Sequence, residues 1–232
     1  DAIAGEALGV AHVDAREVTL DGRLFKVHAT RTPDGAMLAL RDVSDRLFDD
    51  VDLDLVPGEL RRATLLRQVY SRRQLYEMLV DFWSTHFSIH LAGQPEIFLK
   101  TDDDLQAIRP NALGRFGELL RASAHSPAML AYLNQADSTR VAPNENYARE
   151  LLELHTVGVE GGYSQDDVEA LARVLTGWSI VAPRRQGGVG EPGRFVFRPE
   201  DHDDAAAQVM ALAIPAGAGR QGGEDVLSFL AA

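Results

Sequence analysis

The sequence contains no cysteine. That absence excludes disulfides, thiolate nucleophiles and cysteine-bound zinc, and leaves imidazole and carboxylate as metal-holding groups. Basic residues are scarce as well: 23 Lys and Arg face 35 Asp and Glu, a formal net charge of −12. No basic run with interleaved aromatics offsets the deficit, so a nucleic-acid partner is not expected. Long apolar runs are missing, each being broken within a few positions by Asp, Arg or Gly. Nothing approaches the roughly 18 apolar residues of a membrane span. There is no Gly-x-Ser-x-Gly nucleophile elbow, and Gly187-Gly188-Val189-Gly190 lacks the strand and helix that would make it a phosphate loop. No signal peptide is visible, yet the chain starts at Asp1 without Met, which fits a targeting segment already removed. It stops at Leu227–Ala232 within an amphipathic pattern and reads as an excised piece.

What is present has two textures. Residues 1–48 alternate apolar and polar positions around Asp21-Gly22 and Pro33-Asp34-Gly35, the pattern of a small antiparallel β-meander. Residues 49–60 read as an acidic linker ending in Pro57-Gly58. From residue 61 to 232 the helical period takes over. The fold class expected is mainly α: a multi-helix domain with a small N-terminal antiparallel β-meander.

Within the helical part, Leu75, Leu79, Phe82, His86 and His90 follow helical steps, widened by Trp83 and Phe87, and predict a buried stripe. Asp102-Asp103-Asp104 reads as an acidic first turn. Ser126-Pro127 reads as an N-cap followed by Pro at N1, and Ser164–Asp167 as a capping box. Residues 183–194 read as a loop, and Phe195–Phe197 as a short strand.

The densest run of chemically capable side chains is Asn144 to Gly158, predicted as one helix opened by Pro143-Asn144 and closed by Gly158. At about 100° per residue, Asn146, Glu150 and Glu153 fall within roughly 60° of one another, whereas Glu150 and His155 stand about 140° apart.

Several motifs occur in a fixed order. They are Phe82–Phe87, Phe116–Leu120 with Pro127–Leu130, Asn144–Gly158, Gly161–Gln165 and Leu175–Trp178. From about Arg61 onward the chain resembles the bacterial family catalogued as domain of unknown function 1800, in which a His-Asp pair also falls at His202-Asp203. The resemblance implies a mostly helical protein, often exported to the periplasm or beyond. It also implies a neighbour in the genome related to sulfatases and phosphatases. It implies no established activity. Residues 1–45 depart from the expected family pattern. Residues 16–46 resemble the last strands of a PAS sensory domain, with an appended hairpin as the simpler reading.

Two chemistries are open. In the first, a divalent metal (zinc, manganese or iron) is held by His86, His90, Glu150, His202 and Asp203, in a metal-assisted hydrolase. In a metal-free form of the same hydrolase reading, Glu150 or Glu153 and His86 would act as acid and base, while Asn144, Asn146 and Arg149 would orient an anionic group of the substrate. In the second, the Asn-Glu-Arg-Glu stripe is a structural polar network in a non-enzymatic, exported helical scaffold or partner-binding protein. Convergence of His86 and Glu150 would favour the first. Carboxylates that meet arginines would favour the second.

Overall fold

The computed structural model describes residues 12–20, 23–32, 35–40, 55–91, 96–181 and 193–232. The expected strand end at Arg41–Val43, the linker at 49–54 and most of the 183–194 loop lie outside them. The chain divides into two compact units, Asp1–Gln74 and Leu75–Ala232.

The first unit holds the meander: β1 (His12–Leu20), β2 (Arg23–Thr32) and β3 (Gly35–Leu40), antiparallel in that order. Leu20 pairs with Arg23 and Thr32 with Gly35, so both connections are two residues long, the length that hairpins favour. Helix α1 (Leu55–Tyr70) follows. It starts before the expected break, because Pro57 falls in the first turn, where its missing N–H costs nothing.

The second unit is a helical body with two small hairpins. It comprises α2 (Gln74–His86) and α3 (Glu96–Asp103), the latter running on through a π-helical turn (Asp104–Ile108) and a last α turn (Arg109–Asn111). Then come α4 (Phe116–Ala124), α5 (Pro127–Tyr132) and α6 (Glu145–Glu150), which passes into a second π-helical turn (Leu151–His155). Helix α7 (Gln165–Val174), the pair β4 (Trp178–Ile180) and β5 (Phe195–Phe197), the pair β6 (Ala207–Val209) and β7 (Leu212–Ile214), and α8 (Arg220–Leu230) complete it. Leu119 and Leu120 of α4, Tyr147 of α6, Leu151 of the π turn after it, Leu171 of α7, Trp178 and Leu227 of α8 are all buried in one core. Each fully buried leucine contributes roughly 1.5–3 kcal/mol of burial free energy.

Three local expectations are corrected. Helix α2 ends at His86, sealed by the Phe87 N–H on the Trp83 carbonyl, so His90 is exposed beyond it. Its buried side is also rotated. Glu77, Val80 and then Phe87 go inward, while Leu75, Met78 and Phe82 are 66%, 67% and 55% exposed. Polar anchors decide the face: the Tyr76 hydroxyl donates to the Arg109 carbonyl (2.7 Å) and the Trp83 indole to the Ala112 carbonyl (3.1 Å). The Asp102–Asp104 run lies where α3 passes into its π-helical turn rather than in the first turn of a helix. Asp103 and Asp104 are buried, Asp103 taking the Ser126 hydroxyl at 2.6 Å and pairing with Lys100. Ser126 therefore spends its hydroxyl there and makes no side-chain cap for α5. The capping box at Ser164 and Asp167 is present as expected.

Candidate functional site

Asn144 opens α6 as its N-cap, its Oδ1 accepting the Asn146 N–H at 2.8 Å. Its Nδ2 donates to the Asn134 carbonyl (2.8 Å), and its own N–H to the Ser138 hydroxyl (3.0 Å). Asn146 Nδ2 reaches the Leu133 carbonyl at 3.4 Å. Both amides therefore stitch the start of α6 to the turn that follows α5. Asn144→Ala is expected to cost about 1 kcal/mol, read as a lowered urea midpoint. An unchanged midpoint would remove the cap from the account.

One turn on, Arg149 donates to Glu145 (3.2 Å) and Gln165 (2.8 Å), and lies 3.7 Å from Glu153. Gln165 in turn donates to Glu145 and Glu169, so the stripe continues onto α7. The Glu150 carboxylate makes no hydrogen bond among the described residues. Partial burial, and then the neighbouring Glu153, raise its carboxyl above the ordinary range. The stripe is thus one arginine among carboxylates on a half-exposed face.

His86 points elsewhere. Its Nε2 lies 3.0 Å from the His155 carbonyl, the geometry of an N–H donor, and it makes no hydrogen bond or ion pair with Glu150. His155 is buried in the π turn, with its ring 5.1 Å from Phe87 and 6.3 Å from His86. Burial first, and His86 second, lower its pKa to about 4. The two histidines, Phe87 and Phe116 form one ring cluster between α2, α4 and the π turn.

The Leu175–Trp178 motif and the His202-Asp203 pair, 24 residues or more apart in sequence, form a single joint. His202 is buried, and its Nδ1–H donates to the Thr176 carbonyl at 2.8 Å. The Thr176 hydroxyl donates to the Arg173 carbonyl (2.6 Å) and accepts the Asp203 N–H (2.8 Å). His202 Nε2 lies 3.6 Å from Asp204 Oδ1. His202, Asp203 and Asp204 line a crevice of about 10 Å³, with Val174, Ile214 and Gly222 on its apolar side. That is roughly the space of one water. Asp204 also accepts the Gly219 N–H, fixing the entry to α8.

The residues proposed as metal ligands thus sit in separate places: His86 at the end of α2, His90 past it, Glu150 on α6, and His202 with Asp203 in the joint. Among the described residues, no three His, Asp or Glu side chains form a group able to hold a metal ion. Within the joint, His202 and Asp204 are the two donors whose chemistry would suit one.

Sequence reasoning missed a buried ion pair. Glu77 of α2 takes two hydrogen bonds from Arg109 (2.6 and 2.9 Å), with the two side chains 4% and 11% exposed. Burial pulls the Arg109 guanidinium down. The bond to Glu77 and the charges of Asp104 and Glu77 outweigh it and hold the group above its ordinary value. The guanidinium also lies over the Tyr76 ring at 5.2 Å.

Among the described residues, no helix is long and apolar enough to cross a membrane. No curated protein and no solved structure matches the chain significantly. A family model described as protein of unknown function (DUF1800) matches residues 23–232. The match begins in β2 rather than near Arg61, so the second and third strands of the meander fall within it, against the expectation that residues 1–45 stand apart. The motifs from Phe82 to Trp178, the His202 joint that closes on them and the extent of this match agree: the chain belongs to the DUF1800 family of proteins of unknown function.

Proposed function

We propose that the protein is a non-enzymatic helical scaffold or partner-binding protein, with the Asn144–Glu153 stripe as a structural polar network. The observation that carries this is where the stripe's side chains go. Asn144, Asn146 and Arg149, the expected substrate-orienting set, are all bonded within the chain, and Glu153 meets Arg149. Groups so engaged fix helix register and are not free for a ligand. The exposed side chains of Leu75, Met78 and Phe82, on one side of α2, give a partner-binding protein an apolar face. The family resemblance supplies a partner class, a protein related to sulfatases and phosphatases, and an exported setting.

A metal-assisted hydrolase is the second reading, favoured by the raised Glu150 carboxyl and by His202 Nε2 facing Asp204. Metal content separates the two. Protein purified without a histidine tag is measured by plasma mass spectrometry, as wild type, His86→Ala and His202→Ala. The scaffold predicts no stoichiometric metal in any of them. Near-stoichiometric zinc, manganese or iron, lost in a folded variant, would overturn it and establish the hydrolase reading as the better account.

A further inference from the structure

We propose that the outward side of α1 is the docking face for an acidic amphipathic helix of another protein. The inference rests on the partner-binding reading above and adds the chemistry of the partner. Its ground is a helix whose two sides are reversed. The half-buried side of α1 carries Leu60, Ala63, Thr64 and Arg67, whereas the side turned to solvent carries Leu65, Leu66, Val69 and Tyr70. Those four are 60%, 58%, 58% and 77% exposed. A helix that only serves its own domain turns its apolar stripe inward. Here most of the large apolar side chains face the other way.

The spacing gives this face a shape. Arg61, Leu65 and Val69 stand four residues apart and form one ridge; Arg62, Leu66 and Tyr70 form the next. The groove between two such rows is what a ridge of a second helix packs into. Both rows begin in an exposed arginine, and neither arginine makes a hydrogen bond or ion pair among the described residues. Arg72 and Arg73 follow the helix, and Glu59 is the one acid in the sequence from Leu55 to Gln74. The segment is therefore basic within a chain whose formal charge is −12.

Charge decides between occupants. A second copy would dock face to like face, setting one arginine-bearing patch against another. An anionic lipid surface extends beneath the whole molecule and repels the rest of so acidic a chain. An acidic helix meets only the local patch. Its apolar stripe covers Leu65, Leu66, Val69 and Tyr70, and its carboxylates accept from Arg61 and Arg62. At physiological salt, charges beyond about 8 Å are screened, so the chain's remote acids do not prevent this.

Fluorescence anisotropy tests the face on the full chain, at physiological salt, with two synthetic peptides. Both carry leucines at helical spacing, one with glutamates at the remaining positions and the other with lysines. The glutamate peptide is expected to bind at least about tenfold more tightly, whereas net charge alone predicts the reverse order. Val69→Asp, at an exposed position, and the pair Arg61→Glu with Arg62→Glu should each weaken it about tenfold or more. The arginine pair should also turn the preference over to the lysine peptide. Val141→Asp, in an exposed turn, is the control and should leave binding unchanged. No binding of the glutamate peptide, a wild-type preference for lysine, or affinity indifferent to the α1 variants overturns the proposal. A dimer that Val69→Asp abolishes, seen by light scattering, overturns it in favour of a second copy. Binding to vesicles of phosphatidylcholine with phosphatidylglycerol that the arginine pair abolishes overturns it in favour of a lipid surface. Metal content tests the partner-binding reading separately, so a failure here leaves that reading standing.

Discussion

Glu77→Ala is expected to destabilise the second unit by about 3 kcal/mol, the low end of the range for breaking a buried pair. The Coulomb attraction lost is only part of this. Arg109 would remain with its side chain 11% exposed, its charge no longer matched by the carboxylate that takes both of its short bonds. Asp104, which also acts on the guanidinium, keeps the cost from rising further. Urea unfolding of wild type, Glu77→Ala, Arg109→Met and the double variant Glu77→Met with Arg109→Met checks it. The double variant should be far less damaged than the sum of the singles, because apolar replacement removes both desolvation penalties together. Additive losses would mean that the two side chains act independently, and the ion pair would then be energetically idle.

Gly177→Ala is expected to cost about as much, roughly 3 kcal/mol, through two causes that a glycine avoids. The residue has φ +79°, where an L side chain pays about 1–2 kcal/mol. A Cβ there would also lie 2.5 Å from the Arg198 carbonyl oxygen and 3.3 Å from His202 Cβ, and the first of these is backbone that cannot swing away. Overpacking of that kind adds about 1–3 kcal/mol. Gly217→Ala is the matched control, with φ +81° and no atom within 4 Å of the added carbon. Thermal unfolding should show Gly177→Ala shifted by about 10 °C and Gly217→Ala by roughly half of that or less. Equal shifts would show that the close approach of the Arg198 carbonyl contributes nothing.

Much of the fold was legible because it rests on local rules. Alternation around Asp21-Gly22 and Pro33-Asp34-Gly35 announced the meander. Ser164 with Asp167 announced α7, and Asn144 announced α6. The errors share a cause, which is that periodicity weighs apolar residues and ignores where polar ones can be satisfied. On α2 the apolar count favours Leu75 and Phe82. Tyr76, Glu77 and Trp83, however, find partners on the far end of α3, and these turn the helix the other way. The two π-helical turns were invisible for a related reason. A π turn closes i to i+5, so residues after Glu150 no longer keep the 100° step on which the stripe geometry was reckoned. The His202 joint was half legible. Both motifs stood out, but nothing in a linear sequence says that the Thr176 carbonyl lies beside the His202 ring.

The outward side of α2 sets Leu75, Met78 and Phe82 against a chain whose formal charge is −12. Two such molecules repel each other at long range and attract at contact. At 0.01 M ionic strength the repulsion reaches about 30 Å and keeps molecules apart; at 0.1 M it fades beyond about 10 Å. Added salt therefore does more than weaken surface ion pairs in this protein. It lowers the electrostatic barrier to the approach of two molecules while leaving those three side chains exposed, so light scattering is expected to show the mean particle size rising with added salt.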